Sequence, residues 1–283
     1  MILIVDSGAT KSDWIALNEK GEELFKTQTL GLSPEVLTRE VIEDRLANNF
    51  EISQNREKVS QLHFYGAGCG TERMKKFLSE IFTVFFPKAK IDVKEDTYAA
   101  IYATTDIGKQ GIVCILGTGS NCSYYDGHQP FQKVTSLGYI LMDDASGNYF
   151  GRKLLRDLYF HKIPQDLAIK FTKEYPLEAD IIKDHLYKQP NPNTYLATFA
   201  RFLIENKDHR YCRGVINKGL QQFVNNYIMQ FELATKVPCH FVGSIAYYLK
   251  DELEAVLNNN DLVIGKVLRK PIDGLVEFHR KTM

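Results

Sequence analysis

The sequence lacks the features that would set it apart from ordinary globular proteins. Lys plus Arg and Asp plus Glu both number 35, so no basic excess favours nucleic acid or an anionic membrane as a partner. No apolar run reaches the roughly 18–20 residues of a membrane span. The start of the chain has no basic region followed by a cleavage site, so we expect no signal peptide and a cytoplasmic protein.

Cysteine pairs are also missing. The five cysteines form no Cys-x-x-Cys motif, which favours free thiols in a reducing compartment over a disulfide framework or a zinc site. The seven histidines are scattered without the spacing of metal ligands.

What the sequence does contain is a strand that runs into a turn of small residues. Residues 2–5 are a β-branched and aliphatic run, typical of a strand buried on both faces. The turn over 6–11 reads Asp-Ser-Gly-Ala-Thr-Lys, and 12–17 predicts a return strand. A carboxylate at the tip of a buried strand, followed by Gly, Thr and Lys, suggests a phosphate and metal site. An ordinary hairpin with a polar turn explains this stretch equally well.

The same pattern returns near position 111. Residues 112–116 predict another buried strand, 117–121 are the small-residue turn Gly-Thr-Gly-Ser-Asn, and 122–125 predict the return strand. Two copies of one unit suggest two similar lobes. A ligand held by two phosphate-type turns would then lie in the cleft between those lobes.

The rest of the chain alternates helical and extended patterns. Helices are predicted over 34–50, 72–86, 97–104, 144–160, 165–173, 193–206, 213–234 and 247–258. Further strands are predicted over 22–29, 61–65, 89–94, 238–242 and 263–267.

Glycine-rich turns follow four of the predicted strands. They lie at Gly8, at 66–70, at 117–119 and at Gly243, and such turns present backbone N–H groups that bind phosphate oxygens. The spacings of the P-loop and of the dinucleotide-binding motif are both absent. Asp6 could hold Mg²⁺, directly or through water, because hard cations prefer carboxylate oxygen.

Other acidic residues leave two interpretations open. Asp96 ends a predicted strand, where it could act as a general base in phosphoryl transfer or simply cap the next helix. Asp143 and Asp144 could be functional groups within the 138–151 segment, or a cap and solvated charges.

Taken in order, these motifs resemble the sugar kinase/actin/Hsp70-type ATPase superfamily. Within it the sequence is most similar to the BadF/BadG/BcrA/BcrD-type ATPases, which include N-acetylglucosamine kinase. Residues 5–12 are similar to the first phosphate motif D-G-G-x-T-K-S/T, and 117–120 to the second, G-T-G-S. Residues 138–147 resemble G-x-x-x-G-D-E-G-S-G/A, 242–246 resemble the adenosine motif, and 96–100 fall where D-A-x-x-A carries the catalytic base.

The resemblance implies an α/β fold of two actin-like (ribonuclease H-like) lobes with a nucleotide cleft between them. An N-terminal lobe would cover 1–106 and a C-terminal lobe 107–283, with a last helix at about 274–283 that packs back on the first lobe. The resemblance also implies ATP and Mg²⁺ as cofactors, a small-molecule sugar as partner and a homodimer.

It further implies a role for each matching position. Asp96 would take the proton from the sugar hydroxyl, and Asp6 would organise the metal. The residues that bind ATP and its phosphates would be Asp6, Gly8, Thr10, Lys11, Gly117, Thr118, Gly119 and Gly243. The residues that bind the sugar would be Asn121, Asp143 and Gly68.

Several positions depart from the family pattern. Ser7, Met142 and Ser244 each replace a glycine, and Asp144-Ala145 replaces Glu-Gly. Ser33 and Glu35 stand where the family often has a sugar-contacting asparagine. We expect Ser7 to narrow the first turn, and the changes as a group to affect the assignment of the sugar more than that of ATP.

The resulting hypothesis is an ATP-dependent kinase that phosphorylates an N-acetylhexosamine, such as N-acetylglucosamine, on its primary hydroxyl. One alternative is an ATPase that activates an acyl-CoA reductase or dehydratase and shares an Fe–S cluster between subunits, although Cys114 and Cys122 fit core positions better. Another is a non-catalytic homologue that senses sugar or nucleotide, which the departures at Ser7, Met142 and Ser244 would fit.

Overall fold

The computed structural model describes residues 1–8 and 11–283, which form ten strands and thirteen helices. The strands β1–β10 are Ile2–Ser7, Lys11–Leu17, Glu23–Leu30, Gln61–Gly66, Lys90–Glu95, Gly111–Leu116, Ser120–Tyr125, Pro130–Phe131, Cys239–Val242 and Ile264–Leu268. The helices α1–α13 are Arg39–Ala47, Phe50–Asn55, Glu72–Phe85, Asp96–Thr104, Gly147–Tyr159, Gln165–Glu174, Ala179–Tyr187, Pro192–Thr198, Ala200–Glu205, Arg210–Asn226, Ser244–Tyr248, Lys250–Asn258 and Ile272–Thr282.

The chain divides into two compact units. Unit 1 consists of Met1–Ile107 and Lys270–Met283, and unit 2 of Gly108–Arg269. The last helix, α13, belongs to unit 1, where it contacts α4, β1 and β2. None of the helices in the described part of the chain is long and apolar enough to cross a membrane.

Both units are built on the same mixed five-stranded sheet. The strand order is β3-β2-β1-β4-β5 in unit 1 and, read in the same direction, β8-β7-β6-β9-β10 in unit 2. In each sheet the first strand pairs with its hairpin partner on one side and with a parallel strand on the other: β1 with β4, and β6 with β9. These sheets confirm the two similar lobes predicted from the repeated hairpin and the α/β fold of actin-like lobes that the resemblance implies.

The core of unit 1 explains why residues 2–5 show no polar alternation. Leu3 and Val5 face one apolar cluster, and Ile2 and Ile4 face a second cluster that includes α13. Since both faces of β1 are covered, every side chain in the run is apolar. The strand thereby fixes Asp6, near its end, relative to both layers of the unit.

The core of unit 2 is a single apolar cluster on one side of its sheet. Ile112, Cys114 and Leu116 of β6 contribute to it, together with Phe150 from α5 and Phe223 from α10. The cluster holds the start of α5 against the carboxyl end of β6.

The helix predicted over 34–50 is wrong in its extent. The helix α1 begins only at Arg39 and ends at Ala47, and α2 starts separately after Asn49. The side chain of Asn49 accepts a hydrogen bond from the N–H of Ile52 at 3.1 Å, which caps α2 and separates it from α1.

Candidate functional site

Three carboxylates gather at one edge of the unit 1 sheet. Asp6 lies near the end of β1 and directly opposite Asp13 of β2. Asp96 is the first residue of α4 and follows β5 immediately. Because β1, β4 and β5 are parallel, their carboxyl ends meet at the same edge, where open α/β sheets carry their ligands.

The Asp6 carboxyl group is surrounded by other acids. The pKa of this group is raised to about 7, mainly by burial and then by the charges of Asp96 and Asp13, while the charge of Lys270 lowers it. A cation at this position would relieve the repulsion, and carboxylate oxygens are the donors that Mg²⁺ prefers. Asp6 therefore fits a magnesium ion that is held by one carboxylate and by water.

Asp13 was not singled out in the sequence, and it organises the cations beside Asp6. Its carboxylate accepts hydrogen bonds from Lys270 (2.9 Å) and Gln28 (2.8 Å), and Lys11 forms an ion pair with it at 3.1 Å. Burial raises the pKa of Asp13, but the hydrogen bonds from Lys270 and Lys11 outweigh it and hold the pKa below its usual value. Lys11, expected at a phosphate, is thus oriented by Asp13.

Asp96 has the environment of a general base. Burial, followed by the charge of Glu95, raises its pKa to about 6, while the backbone N–H groups of Thr97 and Asp96 itself stabilise the carboxylate. Glu95, not Asp96, occupies the cap position of α4, and its side chain makes no capping hydrogen bond. A base whose pKa lies slightly below neutral pH is ionised and still able to accept a proton during reaction.

Two glycines, Gly8 and Gly68, shape the turns at this edge of the unit 1 sheet. The N–H of Gly8 donates to the carbonyl of Lys11 at 2.9 Å and closes the hairpin turn, whereas Thr10 lies outside the described residues. Gly68 has φ +82°, and a Cβ there would lie 2.5 Å from Oγ of Ser33. Gly68 therefore permits the close approach of Ser33 to the turn after β4.

In unit 2 the turn between β6 and β7 is held from two directions. The carbonyls of Gly117 and Thr118 accept hydrogen bonds from the N–H groups of Gly147 (2.7 Å) and Asn148 (3.1 Å) at the start of α5. Directly after β9, Gly243 approaches so closely that a Cβ would lie 2.2 Å from the carbonyl oxygen of Leu116. Gly243 also has φ +125°, so only glycine fits this contact without strain.

Asp143 lies against this turn. It is 8% exposed and has φ +67°, and its Oδ2 accepts a hydrogen bond from Nδ2 of Asn148 at 2.9 Å. A Cβ on Gly119 would lie 2.7 Å from that same Oδ2. The structure thus brings Thr118, Gly119 and Asp143 together.

Asn121, the other predicted sugar contact in unit 2, has different partners. Its side-chain oxygen accepts hydrogen bonds from the N–H of Cys122 at 2.8 Å and from the amide of Gln132 at 3.4 Å. The side chain of Asn121, a residue of β7, is therefore bonded to its own strand and to the segment after β8.

The cysteines occupy core positions. All five are buried, and the sulfur atoms of Cys114 and Cys122 face each other across β6 and β7 at 3.4 Å. In the described part of the chain no three His, Cys, Asp or Glu side chains are grouped as metal ligands. A cluster shared between two subunits needs cysteines at the surface, so these burials do not support the activator alternative.

Comparison with solved structures shows a relative that is similar over its whole length. A Porphyromonas gingivalis protein, provisionally assigned as an N-acetylglucosamine kinase, is 33% identical; the match covers 99% of each chain with a TM-score of 0.92. No protein-family model and no curated protein matches the chain.

Two more distant structures share the fold. A Chromobacterium violaceum protein with the same provisional assignment is 15% identical, covers 98% of each chain and has a TM-score of 0.68. A ROK family glucokinase from Streptomyces griseus, solved with glucose and AMPPNP, is 12% identical, covers 98% of this chain and 97% of its own, and has a TM-score of 0.60. At these identities the likeness concerns the fold alone.

Proposed function

The chain belongs to the N-acetylglucosamine kinase-like family of the sugar kinase/actin/Hsp70 ATPase superfamily, and from this premise we propose that it is an ATP-dependent sugar kinase. Its proposed substrate is an N-acetylhexosamine, such as N-acetylglucosamine, phosphorylated on the primary hydroxyl. The P. gingivalis relative carries the same provisional assignment, which supports this choice of sugar class.

The observation that carries the proposal is the position and basicity of Asp96. Its carboxylate lies at the carboxyl end of β5, and its pKa is raised to about 6 by burial and by Glu95. In the proposed reaction Asp96 accepts the proton of the sugar hydroxyl as the oxygen attacks the γ-phosphorus of ATP. The bond from that phosphorus to the bridging oxygen breaks, and ADP leaves with the bond's electron pair.

The metal proposal rests on the carboxylates around Asp6. Asp6 would hold Mg²⁺, directly or through water, and the bound ion would neutralise charge on the phosphates. Asp13 orients Lys11 and Lys270 beside Asp6, so two cationic groups lie near the edge of the sheet that would face the phosphates. We propose that Lys11 binds phosphate oxygens and that Gly8, whose N–H closes the turn, lets the backbone come close to them, with Thr10 as a further candidate.

Unit 2 supplies the remaining proposed contacts. The Gly117–Thr118–Gly119 turn would bind phosphate oxygens through its N–H groups, and Gly243 would lie against the adenosine. Asp143 would accept a hydrogen bond from the sugar, and Asn121 and Gly68 are further proposed sugar contacts. The contact of Asp143 with this turn supports its place beside the proposed phosphate contacts of unit 2.

The decisive experiment measures ADP release with ATP, MgCl₂ and a panel of N-acetylated and unmodified hexoses. We expect N-acetylglucosamine or a close relative to give the highest kcat/KM. Asp96→Asn should lower kcat by about a thousandfold or more while ATP still binds, because general-base catalysis typically contributes 10²–10⁴-fold. Glu72→Gln is the matched control, since the Glu72 side chain is 91% exposed at the start of α3.

Three outcomes separate the alternatives. Sugar-dependent ADP release that disappears in Asp96→Asn but not in Glu72→Gln supports the kinase. Tight sugar binding by calorimetry without phosphorylation of any sugar would identify a sensing protein instead. Normal turnover by Asp96→Asn would remove Asp96 from the mechanism.

A further inference from the structure

Asn148 makes two side-chain hydrogen bonds that its helix does not need. Its Nδ2 donates to the carbonyl of Thr118 at 2.7 Å and to Oδ2 of Asp143 at 2.9 Å. The start of α5 is already capped by Ser146, whose Oγ accepts a hydrogen bond from the N–H of Tyr149 at 3.2 Å. Asparagine is also a poorer helix former than alanine. The reason for Asn148 must therefore lie in what its amide holds.

The orientation of this amide is fixed by its surroundings. Both Nδ2 hydrogens meet acceptors, and the reversed orientation would place Oδ1 against two other oxygens. Asn148 is fully buried, and its Oδ1 has no hydrogen-bond partner among the described residues. A buried acceptor without a partner is costly, which indicates that the two donated bonds outweigh that cost.

The first of these bonds reinforces the orientation that the backbone N–H groups of Gly147 and Asn148 give to the phosphate turn. In a trans peptide the C=O and the following N–H point in opposite directions. Gly147 and Asn148 draw the carbonyls of Gly117 and Thr118 towards α5, so the N–H groups of Thr118 and Gly119 point away from the helix. Within residues 1–8 and 11–283, nothing accepts a hydrogen bond from either of these N–H groups. Two adjacent free donors of this kind form an anion-binding nest.

The second bond holds the carboxylate of Asp143. The backbone of Asp143 is in the left-handed region, and its N–H donates to the hydroxyl of Tyr227 at 3.2 Å. Asn148 therefore fixes the carboxylate oxygen that lies nearest the Gly119 position, and its amide leaves Oδ1 of Asp143 for another donor.

We propose that Asn148 is a positioning residue that fixes the Gly117–Thr118–Gly119 turn and the Asp143 carboxylate with one amide, so that it supports nucleotide and sugar binding together. This inference rests on the proposed kinase function. Asn148 acts through its neighbours and touches neither ligand, because its side chain is fully buried.

The test compares Asn148→Ala with the wild-type protein by calorimetry, using AMPPNP with MgCl₂ in one titration and N-acetylglucosamine in the other. Loss of two buried hydrogen bonds, one of them to a carboxylate, should raise the Kd of each ligand by about tenfold or more. Asn148→Ser, which keeps one donor, should give intermediate values. It also provides a readable variant if Asn148→Ala does not fold.

Asn226→Ala is the matched control. The amide of Asn226 donates to Oδ2 of the neighbouring Asp144 at 2.7 Å, but Asn226 is exposed and lies outside the phosphate turn. Its loss should leave both Kd values within twofold of the wild type. Thermal unfolding of all variants without ligand shows whether they have lost stability. If Asn148 only stabilised the fold, the rise in Kd in Asn148→Ala and Asn148→Ser would follow their loss of stability.

The outcomes separate this inference from the proposed function. Two Kd values that stay within twofold of the wild type in Asn148→Ala, or a change in only one of them, would overturn it. A wild-type protein that binds both ligands but phosphorylates no sugar would end the proposed function, while the Kd comparison would still decide the role of Asn148. A wild-type protein that binds neither ligand would overturn both.

Discussion

The hydroxyl of Ser12 donates a hydrogen bond to the hydroxyl of Ser7 across the first hairpin of unit 1, at 2.7 Å. The Ser7 oxygen also accepts the N–H of Leu32 at 3.1 Å, and the residue is 1% exposed. Because side chains alternate along a strand, Ser7 projects away from the face that carries Asp6. The serine thus links β1 to β2 and to the segment after β3. Its presence therefore has a structural reason and does not indicate that the first turn, residues 6–11, has lost phosphate binding.

Replacement of Ser7 by the family's glycine should therefore weaken the protein. Ser7→Gly leaves the buried N–H of Leu32 without its acceptor and adds the entropic cost of glycine in a strand, together about 2–3 kcal/mol. The free energy of urea unfolding measures this loss. Lys26→Gly, at an exposed position of β3, controls for the strand cost together with a weak exposed ion pair to Glu23, and it should lose only about 0.5–1 kcal/mol. Equal losses in the two variants would show that the Ser7 hydrogen bonds contribute nothing.

A second prediction concerns the contact between Gly119 and Asp143. In Gly119→Ala the new Cβ would lie 2.7 Å from Oδ2 of Asp143, so the carboxylate must move and lose its bond to Asn148. We expect a loss of about 1–3 kcal/mol in stability and a rise of about tenfold in the KM for the sugar.

Gly214→Ala is the control for that variant. Gly214 lies in α10, where a Cβ would point into open space, so alanine there should stabilise the helix by about 0.5–1 kcal/mol. Activity should not change. A Gly119→Ala protein with wild-type stability and sugar KM would show that the carboxylate can move without cost, and would separate Asp143 from the phosphate turn.

The repeated topology could be predicted because its signal is local. Strands covered on both faces carry uninterrupted apolar runs, as at 2–5 and 112–116, and each run ends in a turn of small residues. The position of Asp96 was predictable for the same reason, since it directly follows a short strand. Register could have added Asp13: the hairpin pairs Ile2 with Leu17 one for one, which places Asp13 opposite Asp6.

Other features have no local signal. Asn148 acts on Thr118, 30 positions away in the sequence, and no spacing pattern connects the two residues. The helix α7, Ala179–Tyr187, was not predicted, because its apolar stripe of Ile182 and Leu186 spans only about one turn before both residues pack against the unit 2 core. Such elements depend on tertiary contacts and not on periodicity.

A third prediction tests the packing of α5 against α8 in unit 2. A Cβ on Gly151 would lie 1.7 Å from the carbonyl oxygen of Leu196, a backbone atom that cannot rotate away. Gly151→Ala should therefore destabilise unit 2 by about 3 kcal/mol or more, as overpacking against backbone does. Urea unfolding measures it, and the opposite sign expected for Gly214→Ala provides the comparison within the same unit. A Gly151→Ala protein as stable as the wild type would mean that α8 can shift at no cost.

The fourth prediction concerns pH and the buried His279 of α13. Its Nε2 lies 3.0 Å from the hydroxyl of Tyr65, and the ring is 6% exposed. Burial, then the charges of His63 and Lys94, lower its pKa to about 3, while Asp92 raises it only in part. In the unfolded chain a histidine titrates near 6.5. His279 is therefore protonated below about pH 6.5 in the unfolded state, but only below about pH 3 in the folded state.

The contribution of His279 to stability should fall as the pH falls through that window, and it should be zero above it. At pH 5 the loss of folding free energy is about 2 kcal/mol. This pH lies about 1.5 units below the pKa of the unfolded histidine, and each unit costs about 1.4 kcal/mol. Burial raises the pKa of the neighbouring Asp92, but His63 and Lys94 outweigh it and lower that pKa to about 2. The contribution of Asp92 is therefore lost only at lower pH.

Relative to the wild type, His279→Gln should change the slope of stability between pH 7 and pH 5 by about 2 kcal/mol in favour of the folded state at pH 5, as measured by urea unfolding at each pH. The carboxyl groups of Asp6 and Asp96 titrate in the same range in both proteins, so the difference between the two unfolding curves isolates His279. His128→Gln, at an exposed turn, should keep the wild-type slope. A His279→Gln protein that also keeps it would show that His279 is protonated in the folded state.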